Sequence, residues 1–262
     1  MLYFPQLASG GIVQFPIQRH QSQRTVVNAC EDGHTVKMVD AAAATQGWLL
    51  TFQDLTDAEI GILLQFFATS EGRLNPFTFF DPLSNLLIWS EAIDQPIWQN
   101  GNLLQRQSGI DDPMGGSNAT HLTNATAGSI TLQQTINGPG WYTYCFSAYV
   151  RSRGAVPVSL QLQADAASES LVYLTPPYWQ RIYLSTTLNT TAETFSAGII
   201  IPPGQTVDAF GFQLEAQPGA SLYKRSIGAS GVIANAHFAQ DEFTFITDAP
   251  NRHRCKLRIV SP

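Results

Sequence analysis

Two pairs of side chains have types and spacing that chemistry would need. His253 and Cys255 are two apart, so on a strand they share a face and present two metal-ligating atoms. Two ligands do not complete a zinc site, and the pair reads as structural. Asp111 and Asp112 offer the carboxylates of a glycosidase, which needs two at a set separation, and Glu215 is a third candidate. Asp112-Pro113 followed by Gly115-Gly116 reads more simply as a turn, or as ligands to a structural calcium ion. The remaining histidines, His20, His34, His121 and His237, have no ligand at metal-binding spacing. There is no His-Glu-x-x-His, no P-loop and no Gly-x-Ser-x-Gly. No catalytic residue, metal site or cofactor is expected.

Aromatic side chains offer a different chemistry. Sugar rings carry apolar C–H faces that stack on exposed Trp or Tyr. Trp98, Trp141 and Tyr178 lie near predicted loops or strand ends. Each is a candidate glycan platform or a partly buried framework residue. Trp179 adjoins an alternating strand and reads as core. Asn118-Ala119-Thr120, Asn124-Ala125-Thr126 and Asn189-Thr190-Thr191 match the glycosylation pattern, which has no meaning outside a secretory pathway.

Composition narrows the partners. The chain has 262 residues, 44% apolar, enough for a real core, but only 13% are charged. That is about half the usual share, and fits an all-β protein or one that lives in an assembly. A net charge of -6 with no long Lys/Arg run argues against nucleic acid. Apolar stretches such as 60–67 and 197–201 are too short to span a membrane, so no membrane insertion is expected. Met1-Leu2-Tyr3-Phe4-Pro5 lacks the basic start of a signal peptide, so synthesis in a cytoplasm is expected. Cys30, Cys145 and Cys255 are isolated and read as reduced thiols.

The elements that position these residues are mostly strands. A cassette occurs twice, as Asn75-Pro76-Phe77-Thr78-Phe79-Phe80-Asp81-Pro82 and as Asp241 to Pro250. Each alternates apolar and polar residues and ends at an Asp close to a Pro, the pattern of a half-buried strand entering a turn. Strands are predicted near Ile12–Ile17, Thr25–Val27, Thr35–Val39 and Trp48–Phe52. A helix follows over about 56–71. Thr56 and Glu59 form a capping box, Leu55 and Ile60 a staple, and Ile60, Leu63, Leu64 and Phe67 a buried stripe, with Gly72 as the stop. From Asn85 onward short strands recur with turns at Asn137-Gly138-Pro139-Gly140, Pro176-Pro177 and Pro202-Pro203-Gly204, which predicts a jelly-roll sandwich. The expected fold is mainly β: a small β-rich domain with one helix, residues 1–83 plus 227–262, split by an inserted β-sandwich over 84–226. The closing cassette and Cys255–Val260 are expected to pair as a hairpin.

The stretch Leu55-Thr56-Asp57-Ala58-Glu59 to Phe66-Phe67, then Glu71-Gly72-Arg73-Leu74 and the first cassette, resembles the distal tail proteins of long-tailed bacteriophages and gene-transfer agents. The insertion is similar to carbohydrate-binding jelly rolls of phage structural proteins. That likeness rests on Asn85-Leu86-Leu87, Ser90-Glu91, Trp98, Asp112-Pro113, Ala119, Tyr142-Thr143-Tyr144, Ser147 to Arg151, Trp179-Gln180-Arg181, Gly211 to Glu215 and Tyr223. Together the resemblances imply a structural virion protein, not an enzyme. It would form a homo-oligomeric ring, hexameric in that family, at the tail tip or baseplate. There it would join the tail tube protein to the tail-tip hub protein, with a peripheral module facing host cell-surface polysaccharide. The alternative is a carbohydrate-binding or receptor-binding component with no ring-forming role.

Overall fold

The structure, a computed structural model, describes residues 1–99 and 103–261. It is mainly strand, as the alternation predicts, and the described residues contain one α-helix. Among them no helix is long and apolar enough to cross a membrane. The chain divides into two compact units. One comprises Met1–Ala8, Ile12–Phe79 and Ile233–Pro262, the other Ser9–Gly11 and Phe80–Val232.

The first unit contains β1 (Gln18–Ala29), β2 (Thr35–Leu55), α1 (Asp57–Thr69) and β3 (Phe77–Phe80). The strands near its C-terminal end are β13 (Val232–Phe238), β14 (Phe245–Ala249) and β15 (Arg252–Ser261). Their sheet runs β1-β2-β15-β13-β3, with β14 pairing off β15 in the expected hairpin. Along β15 burial alternates strictly, placing His253, Cys255, Leu257 and Ile259 inward. Opposite them on β2 lie Phe52, Leu50 and Trp48, all fully buried. The strands expected at Thr35–Val39 and Trp48–Phe52 are one continuous strand of 21 residues. Its first part pairs only with β1, across a turn closed by Cys30 N to His34 O at 2.8 Å. Val27, Val36, Met38 and Val39 are therefore exposed there. No strand forms over Ile12–Ile17. Pro16 interrupts that run and has no N–H to give a ladder.

The helix starts as its sequence dictates. Thr56 Oγ1 accepts from Glu59 N at 3.2 Å, and Thr56 N donates back to Glu59 Oε2 at 2.9 Å. It ends where Glu71 and Gly72 turn left-handed, and Gly72 N reaches Phe67 O at 3.2 Å. A Cβ on Gly72 would stand 2.8 Å from Asp241 Oδ1, so φ and space both require glycine. The helix packs Phe66 on Phe77 (5.1 Å between centroids) and on Phe4 (5.6 Å) within an aromatic core that includes Phe238. The two cassettes diverge from half-burial in opposite directions. β3 is buried at every position, because Leu2 and Phe4 bond to the backbone of Thr78 along its free edge. In β14, Phe245 and Ile246 are exposed, since β14 pairs only with β15.

The second unit holds β4 (Leu104–Ile110), β5 (Ala119–Asn124), β6 (Ile130–Asn137), β7 (Thr143–Arg151) and β8 (Pro157–Ala164). It continues with β9 (Ala167–Leu174), β10 (Gln180–Thr187), β11 (Thr194–Ile201) and β12 (Thr206–Glu215). They form a five-stranded antiparallel sheet, β10-β7-β12-β5-β4, and a four-stranded one, β6-β11-β8-β9, giving the jelly-roll sandwich. Phe146, Phe212, Leu160 and Ile199 are among the buried residues of the core between them. A bulge at Gly211 (φ +64°) shifts the register between Phe210 and Gln213. It lets Phe212 turn into the core against Trp98 while Phe210 meets Tyr149 and Tyr223.

Candidate functional site

The three sequence-predicted platforms separate. Trp98 is 2% exposed, with its indole N–H donating to Trp89 O at 3.0 Å and its ring 4.9 Å from Phe212. It is a core residue and has no free face for a ligand. Trp141 is 46% exposed in the β6–β7 loop, and Tyr178 is 67% exposed in the β9–β10 loop. These two loops lie at opposite ends of the β7–β10 ladder, which pairs Thr187 with Thr143 at one end and Gln180 with Val150 at the other. The structure does not bring Trp141 and Tyr178 together.

The carboxylates of the glycosidase reading are committed elsewhere. Asp112 accepts from the N–H groups of Met114 (2.8 Å), Gly116 (3.1 Å) and Asn118 (3.0 Å). Burial alone would raise its pKa, but those donors outweigh it and hold the carboxyl below its ordinary value. This is the turn, and no group of three His, Cys, Asp or Glu suited to a metal ion occurs among the described residues. Glu215 is buried, with Lys224 Nζ at 2.7 Å and Ser221 Oγ at 2.5 Å. Burial pushes its pKa up, and the bonds from Lys224, Ser221 and Gln213 overcome that and lower it. It clamps the segment after β12 onto the outer face of the five-stranded sheet. There Ser185 Oγ also bonds Pro218 O at 2.6 Å, and Tyr223 packs edge-on to Tyr149. In the first unit His253 and Cys255 do share an inward face. His253 is held between Asp57 (2.6 Å) and Thr247 (2.9 Å), and burial pushes the Cys255 thiol up to about 12.

The other end of the five-stranded sheet carries a polar row across four strands. Gln107 on β4 stands opposite His121 on β5, His121 opposite Asp208 on β12, and Asp208 opposite Arg151 on β7. At strand spacing the row runs about 15 Å. Asp208, only 15% exposed, ties it together, with His121 Nδ1 at 2.5 Å and Arg151 Nε donating at 2.8 Å. Arg151 in turn lies over the Trp179 ring at 4.6 Å. Trp179 was predicted as core. Its position one residue before β10 instead puts it beside Arg151 on the outer face, half-buried. The row borders a cavity of about 720 Å³, whose walls include Ser152, Arg153, Pro177 and Gln205. A cavity of that volume suits a small organic ligand. Tyr178 directly follows the wall residue Pro177.

No family model matches the chain, and no curated protein matches it. Solved structures do show likeness. TmCBM61 in complex with β-1,4-galactotriose is 14% identical at a TM-score of 0.39, over 50% of this chain and 97% of that one. The C-terminal family 22 carbohydrate binding module of Clostridium thermocellum Xyn10B is 14% identical at 0.42, over 54% and 98%. The enzymatically active domain of bacteriophage CBA120 tailspike protein 4 is 14% identical at 0.40, over 52% of this chain and 22% of that one.

Sequence reasoning missed Gln107, His121 and Asp208, and read Arg151 only as part of the jelly-roll likeness, because nothing local marks the row. They come from four strands whose adjacency follows the sheet order and not the chain order. The one signal was outward parity within each strand, which other polar residues of those strands share.

Proposed function

We propose that the second unit binds polysaccharide at the Gln107–His121–Asp208–Arg151–Trp179 row and the cavity beside it. The observation that carries this reading is the row itself. It aligns Gln107, His121, Asp208 and Arg151 on one sheet face, with His121 and Arg151 held by Asp208, and it ends at an aromatic ring. Vicinal sugar hydroxyls pair with such groups in twos, and the apolar side of a sugar ring is matched by Trp179 or the neighbouring Tyr178. The buried, charge-paired Asp208 is a positioning residue that holds Arg151 and His121 in place, and the site binds its ligand without cleaving it. A glycan array probed with the full chain and with Gln107→Ala tests this. Specific signal from the chain, weakened in the variant, is expected. Binding that is unaffected by Gln107→Ala and by further changes in the row would place the ligand elsewhere.

A second reading concerns the first unit. It would build a homo-oligomeric ring, hexameric by resemblance, at the distal end of a phage tail. There it would contact the tail tube and hub proteins and present the sandwich to host-surface glycans. What favours assembly is the β1–β2 hairpin. Its edge strand β1 is exposed along nearly all its 12 residues, and Val27, Val36, Met38 and Val39 lie bare near its turn. An unpaired edge with apolar side chains is a template for a second chain. Ring copies would raise a weak glycan affinity by about 10²–10⁴ through avidity. Analytical ultracentrifugation of the full chain tests this. A closed oligomer that Val39→Asp dissociates supports it, and a monomer at all concentrations counts against it.

A further inference from the structure

We infer that the ligand of this site is an acidic polysaccharide, one whose sugars carry carboxylates, with Arg153 as the residue that reads the charge. The inference rests on the glycan-binding reading above and specifies its ligand. The titratable side chains lining the cavity are His121, Arg151, Arg153 and Asp208. Asp208 is the one carboxylate, and it is already shared by Arg151 and His121. Arg153, two residues past Arg151 where β7 has ended, is exposed and forms no hydrogen bond or ion pair with any described residue. The cavity thus sets two arginines against one aspartate in a chain whose overall charge is -6.

This excess of positive charge is not explained by folding. Other arginines of the unit have partners: Arg181 donates to Ser147 Oγ at 3.0 Å, Arg106 to Trp98 O at 3.0 Å, and Arg225 to Glu91 at 2.9 Å. Arg153 alone in the cavity wall keeps its planar fork of donors available. That fork matches a carboxylate with two parallel bonds, which a neutral hydroxymethyl group cannot accept in the same way. The remaining groups serve any sugar: Gln107 and Gln205, both exposed, can bond hydroxyls, and Trp179 supplies a flat apolar surface. Affinity therefore comes from the row, and preference for acidic over neutral sugars comes from Arg153.

The experiment compares four uronate-containing polysaccharides, polygalacturonate, alginate, hyaluronan and xanthan, each with its own carboxyl-reduced form. Backbone and linkage are then constant while the charge is removed. Binding to the full chain is measured by titration calorimetry. At least one acidic form is expected to bind about tenfold tighter than its reduced partner, the size of one charge-assisted bond. Arg153→Gln should bring that ratio close to one by weakening the acidic form far more than the reduced form, and Arg153→Lys should keep part of the preference. Equal binding of acidic and reduced forms, or a preference that survives Arg153→Gln, overturns the inference and leaves glycan binding standing. If no form of any pair binds, the inference falls, and the glycan array alone then decides whether the glycan-binding reading stands. A circular dichroism spectrum unchanged in Arg153→Gln excludes misfolding as the cause of a loss.

Discussion

Asp208→Asn retains the shape of the side chain that joins Arg151 to His121 and removes its charge. The carboxylate accepts from Arg151 Nε at 2.8 Å and meets His121 Nδ1 at 2.5 Å. A hydrogen bond to a charged group contributes about 1.5–3 kcal/mol net, and the largely buried Arg151 contact should lie near 2 kcal/mol. The His121 side chain is nearly half exposed, so its contact adds at most about 1 kcal/mol. The sum, about 2–3 kcal/mol, lowers the melting temperature of a unit of this size by roughly 5–10 °C. The change also frees Arg151 from its fixed orientation, so glycan affinity should fall about tenfold. Scanning calorimetry on the full chain reads the first effect and titration calorimetry the second. Asp241→Asn is the control: the Arg73–Asp241 pair, 2.5 Å apart, is exposed on both sides and should shift neither quantity. The reasoning is refuted if Asp208→Asn melts with the wild type, or if Asp241→Asn costs as much.

Gly72→Ala should destabilise the first unit by about 1–2 kcal/mol in urea titration, because φ is +62° and Asp241 leaves no room for a methyl group. Asn85→Leu should cost about 3 kcal/mol in the second unit. The Asn85 amide donates to Phe212 O at 2.8 Å and accepts from Leu87 N and Leu214 N at 3.0 Å, and three buried backbone groups would lose their partner. Glu215 has a folded-state pKa below its ordinary 4.5, so its contribution is present above about pH 4.5 and is lost as pH falls through the lower folded value. The urea midpoint of the second unit should drop on acidification through that window, and Glu215→Gln should flatten the drop. Alkylation at pH 8 followed by mass spectrometry should modify Cys30, which is exposed. Cys145 and Cys255, both buried and pushed up to about 12, should stay unmodified until the protein unfolds.

Local features were legible in the sequence where one stretch of chain decides them. Thr56 and Glu59 cap the helix because the capping box is complete within four residues. The strand read at Cys255–Val260 forms, and burial alternates along β15 from Arg252 to Ile259 because both faces of that strand meet what its pattern anticipates. The cassettes failed where neighbours decide. β3 is covered by the chain around Tyr3, and β14 has only one partner, and neither fact is written within the cassettes. The site was hidden for the same reason. Trp98 and Trp179 have similar local surroundings in sequence. One is swallowed by the core beside Phe212, while the other is turned outward by the register of β10 against β7.

The proposed glycan site is the row ending in Trp179. Its most direct test is a calorimetric titration of the best-binding polysaccharide into the full chain, Trp179→Ala and Trp141→Ala. Loss of an aromatic anchor from the row should weaken binding by at least about tenfold in Trp179→Ala, while Trp141→Ala, at the other end of the β7–β10 ladder, binds as the wild type does. The reverse pattern, with Trp141→Ala impaired and Trp179→Ala intact, would contradict the assignment of the site.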